Sequence, residues 1–187
     1  MKVSTDINLG PAFTDGPEGV DRSLLAHVLS LQPEGWAAEF GVGTGGTLAM
    51  IAAVMPAIGF DSERGLPADW RPGFKRGKFR AKMPDLPGTT LVPGWFEDTV
   101  PGYDFAGVGL FHIDCDMYAS TVTVLDSIGP YLLPGVLVVF DEFHGFEDDE
   151  SGDVPGEQRA WREFVEAHDV EWDVIGRGRE QWAVRIR

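Results

Sequence analysis

Apolar residues recur along this chain in two rhythms, one helical and one of short unbroken runs. Leu24, Leu25, Val28 and Leu29 fall at helical spacing, and Asp21 stands where a cap belongs, so a first helix is expected over 20–31, ended by Pro33 and Gly35. The run from Trp36 to Val42 reads as a strand. Leu48, Ile51, Ala52 and Met55 supply the apolar face of a second helix, which Pro56 stops. A second strand is expected over 57–60, ending at Asp61, and the runs at 89–92, 108–113 and 136–140 predict three more, each suited to burial on both faces. Helical spacing returns between the last two at Val122, Leu125, Ile128 and Leu132, and again at Trp161, Phe164, Val165 and His168. Two closing strands are expected near 170–175 and 181–186. The stretch between Asp61 and Thr89 is rich in Gly, Pro and basic residues and lacks periodicity, so it reads as a loop.

Strands alternating with helices imply a parallel sheet wrapped by helices, with right-handed crossovers and ligand sites at the carboxyl ends of the strands. Asp61, Asp114 and Asp141 all occupy such ends. The closing pair is compatible with a last strand that runs antiparallel. With 187 residues the chain suits one domain over 1–187.

Charge and composition narrow the partners. A formal charge of −15 opposes general attraction to nucleic acid, whose phosphates reward Lys and Arg surfaces. No stretch has the apolar length of a membrane span, and Met1 to Gly10 lacks the apolar core of a signal peptide, so a cytoplasmic protein with a small-molecule partner is expected. A homo-oligomer stays open. Cys115 is the lone cysteine, which excludes an internal disulfide, and it reads as a packing residue. Charge is also unevenly spread: 71–82 carries six basic residues and no acid, while 141–157 carries eight acids and no Lys or Arg. The basic loop suits either an anionic substrate or plain solvation, and 147–153 reads as a flap or a solvated face.

Glu39-Phe40-Gly41-Val42-Gly43-Thr44-Gly45-Gly46 joins the first strand to the second helix. Glycines here permit a tight reversal and close approach of backbone to a ligand, and Glu39 can meet a ligand's cationic end. The pattern resembles the S-adenosylmethionine turn of class I methyltransferases. Gly41, Gly43 and Gly46, with Asp61 about twenty residues on, equally satisfy the dinucleotide fingerprint of NAD-dependent oxidoreductases. A non-catalytic cofactor-binding module is a third reading. Asp61 suits two ribose hydroxyls in either cofactor, ahead of the plainer reading as a cap on the next turn.

Further motifs follow in order: Gly59-Phe60-Asp61-Ser62, Gly65-Leu66-Pro67, Gly94-Trp95-Phe96-Glu97-Asp98-Thr99, His112-Ile113-Asp114-Cys115-Asp116-Met117-Tyr118 and Phe140-Asp141-Glu142-Phe143. Together these resemble the macrocin O-methyltransferase family over roughly residues 20–185. The resemblance implies a Rossmann-like class I methyltransferase: a mostly parallel seven-stranded α/β sheet, helices on both faces, and an antiparallel closing strand. It implies S-adenosylmethionine bound by Glu39, Gly41, Gly43, Gly45, Asp61, Ser62, Phe96, Glu97 and Asp114. It also implies Mg2+ on Asp114, Asp141 and Glu142, and O-methylation of a hydroxylated small molecule such as a sugar or natural product. Carboxylates gathered at adjacent strand ends repel unless a cation or protons intervene, and hard oxygen ligands suit magnesium. Met117 stands where catechol-type enzymes carry a basic lysine, which leaves Asp114, Asp116, His112 and His144 as candidate proton acceptors. His112 reads more readily as a hydrogen-bonded core residue.

Overall fold

The computed structural model describes residues 22–146 and 154–187. Asp21, expected as a helix cap, and the acidic stretch 147–153 lie outside the described residues. The elements run α1 (Ser23–Ser30), β1 (Trp36–Phe40), α2 (Gly46–Ala52), β2 (Ala57–Asp61), β3 (Thr89–Pro93), α3 (Phe96–Thr99) and β4 (Val108–Ile113). They continue with α4 (Tyr118–Ile128), a 3-10 turn (Gly129–Tyr131), β5 (Leu137–Phe140), α5 (Gly156–His168), β6 (Trp172–Arg177) and β7 (Trp182–Ile186). The strands form one seven-stranded sheet in the order β3-β2-β1-β4-β5-β7-β6. β1 to β5 are parallel, and β7 runs antiparallel to both β5 and β6.

The apolar runs become strands because the sheet centre has helices on both faces. All four residues of β5 and five of the six of β4 are buried. On one face Phe40, Phe60, Phe105, Phe111 and Phe140 pack with Trp161 of α5 and with α4. On the other, Leu24, Val28, Leu48 and Ile51 of α1 and α2 cover Ala37, Leu110 and Val139. The expected double burial fails for β3, where no residue is fully buried, because that strand is the sheet's outer edge. Its Leu91 and Val92 are only partly buried, one against each face's core.

α1 starts at Ser23 and has no side-chain cap, so the expected helix is shorter by its first turn within the described residues. α2 ends at Ala52, one turn short of Met55, yet Met55 is buried all the same. α3 was not foreseen: with four residues it offers no periodicity to read. The 62–88 loop holds neither helix nor strand, but it has a small core of its own in which Trp70 packs edge-on to Phe74 and Phe146. Mutual backbone bonds between Leu66 and the 77–78 turn tie it together. Among the described residues no helix is long and apolar enough to cross a membrane.

Candidate active site

Parallel strands carry their carboxyl ends to one side of the sheet, and there the chain encloses a cavity of about 790 Å3. One end is the glycine turn between β1 and α2. Gly41 has φ +96°, and a Cβ on it would lie 1.9 Å from the Asp114 carbonyl oxygen. Glycine at 41 thus lets β1 and β4 close together and sets Asp114 beside the turn. Asp61, at the end of β2, accepts hydrogen bonds from the Val42 and Gly43 amides on Oδ2, each 2.9 Å, and from the Glu63 amide on Oδ1 at 2.6 Å. Its carboxylate therefore shapes the turn before any ligand arrives. Gly41, Gly43, Asp61, Ser62, Phe96 and Glu97 line the cavity together.

Glu39 and Gly45 do not line it. Glu39 projects from the centre of β1 into the protein, fully buried, where its Oε1 accepts the His112 Nδ1 proton at 2.9 Å. Its Oε2 is buried with no partner. Burial pulls the His112 pKa down, but the Glu39 hydrogen bond and charge, with that of Asp141, outweigh it and leave the imidazole raised. His112 is thus a paired core histidine. Gly45 faces Pro84 and Leu86 instead of the cavity.

The opposite end of the cavity is acidic. Asp114, Asp116 and Glu142 bring carboxylate oxygens within 4.8 Å of one another, all half-buried. Asp116 has φ +61°, and this left-handed residue folds the segment after β4 back so that positions 114 and 116 share one side. Asp141 lines the cavity but stands outside that triad. It is hydrogen-bonded instead by the Gln181 side chain and feels the His112 charge. Of the expected ligands, Asp114 and Glu142 thus stand together with Asp116, and Asp141 lines the same cavity beside them. Three hard carboxylates with a buried, unpartnered Glu142 Oε2 fit a magnesium-like cation.

Burial dominates the protonation of this cluster. It pushes the Asp114 carboxyl well above its usual range, with the Asp141 and Asp116 charges adding to the effect. Burial and the Asp141 charge carry Asp116 up to about 7, opposed by the Arg71 charge. Glu142 is raised well above its usual range by burial and by Asp116. Such a cluster is costly when ionised and empty, and a cation or protons must offset it.

Several residues of this site carried no sequence signal. Glu157, in the first turn of α5, is fully buried; Oε1 accepts the Cys115 amide at 3.0 Å and Oε2 the Glu142 amide at 3.1 Å. One carboxylate thus joins the segments after β4 and β5 that carry the acidic triad. Arg22 lines the cavity beside the glycine turn, so close to Gly46 that a side chain there would collide with its guanidinium. Glu157 lies 42 residues from Cys115 in a helical stretch whose apolar stripe was the visible pattern, so no spacing rule could find it. His144, by contrast, does not line the cavity: it stacks edge-on to Trp182, its Nε2 lies 3.1 Å from the Gly178 carbonyl, and burial lowers its pKa. Cys115 is buried and its thiol is pushed well above its usual range by burial and by Glu157, as befits an inert packing residue.

This sheet order, with its antiparallel β7, is a class I methyltransferase fold. The O-methyltransferase NovP superimposes with a TM-score of 0.66 at 20% identity, over 88% of this chain and 76% of that one. Residues 79–177 match the model of the macrocin O-methyltransferase (TylF) family, and the chain belongs to that family. Among curated relatives, the 8-demethyl-8-(2,3-dimethoxy-alpha-L-rhamnosyl)-tetracenomycin-C 4'-O-methyltransferase of Streptomyces olivaceus is 38% identical over 28% of this chain and 20% of its own length. The mycinamicin III 3''-O-methyltransferase of Micromonospora griseorubida is 27% identical over 46% of this chain and 30% of its own. The matched segments thus span less than a third of these relatives.

Proposed function

We propose that this chain transfers a methyl group from S-adenosylmethionine to a hydroxyl of a small, sugar-bearing or otherwise hydroxylated molecule. The observation that carries the reading is one continuous cavity joining the glycine turn and Asp61 to the carboxylates Asp114, Asp116 and Glu142. Membership in the macrocin O-methyltransferase family supports it, as do relatives named for O-methylation of a rhamnosyl tetracenomycin and of mycinamicin III.

In this reading the amides and open face of the 41–43 turn receive the amino-acid end of the methyl donor. Arg22 supplies a cation for its carboxylate, Asp61 accepts from the ribose, and Phe96 and Glu97 border the adenine. A sulfonium donor supplies the driving force: the acceptor oxygen bonds to the methyl carbon as the sulfur–methyl bond breaks, leaving a thioether. The hydroxyl proton leaves to a carboxylate oxygen of Asp114 or Asp116 that does not hold a cation. A divalent cation held by Asp114, Asp116 and Glu142 would orient and acidify the acceptor hydroxyl. The protein's own part is alignment and the exclusion of water, which is where rate is gained in such a transfer.

Calorimetry with S-adenosylhomocysteine tests the first half: saturable binding is expected, and NADH should not compete. Folded protein that binds NADH but not S-adenosylhomocysteine would sink the reading. For the second half, Asp114→Asn should lower turnover by at least ~100-fold while S-adenosylhomocysteine affinity changes little. Undiminished turnover would remove Asp114 from the chemistry.

A further inference from the structure

We infer that Arg71 is a binding site for an anionic group, a phosphate or a carboxylate, on the methyl acceptor. The inference rests on the methyltransferase reading and specifies its acceptor. Arg71 lies at the start of the basic 71–82 segment and lines the cavity. Its guanidinium is packed against three rings, 4.3 Å from the centroid of Trp70, 4.6 Å from Phe74 and 4.1 Å from Phe146. The side chain is 17% exposed, so this cation has lost most of its water.

What it receives in exchange is incomplete. Arg71 Nε is buried without a hydrogen-bond partner, and among the described residues the carboxylate within 4 Å is that of Glu180, whose Oε2 stands at 3.9 Å. That distance is too long for a hydrogen bond, and Glu180 is itself partly exposed. A desolvated guanidinium with an unpartnered Nε is unfavourable by itself, and the rings around it offer no acceptor, so its N–H edge awaits a partner. That edge geometry suits a planar or tetrahedral oxyanion taking two parallel bonds.

Location says which ligand. Arg71 packs on Phe146, four residues after Glu142, and its neighbour Trp70 packs with Met117, next to Asp116, so the guanidinium stands by the acidic end of the cavity. Arg80 and Arg179 line the same cavity. In a chain of net charge −15, these cations in the cavity lining offset the acidic triad and favour an acceptor that brings its own negative charge.

The test is calorimetry on the full chain with saturating S-adenosylhomocysteine and Mg2+, using glucose, glucose 1-phosphate, UDP-glucose and glucuronic acid as probes. At least one anionic probe should bind about tenfold or more tighter than glucose, and Arg71→Gln should erase that advantage while S-adenosylhomocysteine affinity stays within about twofold. The phosphate and carboxylate arms separate the two sources of the anion. Equal binding of charged and neutral probes, or an advantage that survives Arg71→Gln, overturns the inference. If Arg71→Gln melts early, Arg71→Lys replaces it: the charge remains without the two-pronged edge, and an undiminished preference would again overturn the inference. Failure of the wild-type chain to bind S-adenosylhomocysteine would instead overturn the methyltransferase reading.

Discussion

Glu157 shows how much of this site depends on single side chains that touch no ligand. Each of its carboxylate oxygens accepts one backbone amide, so Glu157→Gln would turn an amide donor toward either Cys115 N or Glu142 N. Loss of one buried acceptor costs about 1–3 kcal/mol, and supporting residues of this kind shift metal affinity by roughly 10–100-fold. Chemical denaturation and Mn2+ titration of Glu157→Gln should show both losses, and unchanged metal affinity would confine Glu157 to folding. The raised carboxyls give a second prediction. A carboxylic acid whose folded pKa lies above its unfolded value makes the folded state bind more protons, so the metal-free protein loses stability as pH rises from about 4 to about 7, the level of Asp116. Asp114, Glu142 and Glu157 act in the same direction. The apo chain should therefore melt higher at pH 5.5 than at 7.5, and Mg2+ should raise the melting temperature more at 7.5. The opposite pH trend would contradict the burial that causes these shifts.

At the scale of elements, the β1–α2 turn separates two jobs that its glycines share in the sequence. Gly41 is pressed against the Asp114 carbonyl, whereas a Cβ on Gly43, at φ +51°, would meet no protein atom within 4 Å. Gly41→Ala should therefore cost stability beyond the ~1–3 kcal/mol of left-handed backbone strain, because β1 and β4 must part. Gly43→Ala should cost only about 1–2 kcal/mol but block the ligand's approach. Denaturation and S-adenosylhomocysteine binding measured on both variants should give this crossed pattern; equal effects on both would dissolve the division of labour. The 62–88 loop teaches a related lesson. It gives no periodic signal, yet its Trp70 core, clasped to Phe146, builds the wall that presents Arg71.

For the whole molecule, the site is spread over the ends of β1, β2, β4 and β5 and over loops that the sheet alone brings together. Ligands that bridge these parts should stabilise the chain globally. At a hundredfold excess over Kd, S-adenosylhomocysteine contributes about 2.7 kcal/mol, or a rise in melting temperature of roughly 5–10 °C for a chain of this size. Differential scanning fluorimetry reads that rise, and a local effect without a shift in the midpoint would mean that the cavity is uncoupled from the fold.

The sequence by itself determined the order and kind of nearly every element, since runs such as 108–113 and 136–140 can be buried only inside a sheet with helices on both faces. It also determined the family, through ordered motifs from Gly41 to Glu142, and it marked Asp114 and Asp61 through their places at strand ends. Tertiary structure alone decided which neighbours share a space. It set Asp116 beside Asp114 and Glu142, turned Glu39 inward to His112, left β3 at the edge, and brought Glu157, Arg22 and Arg71 to a site that no spacing announces. The reason is physical: periodicity encodes burial of one element against its neighbours, whereas contacts between carboxylates, amides and guanidinium groups far apart in the chain exist only once the sheet has closed around them.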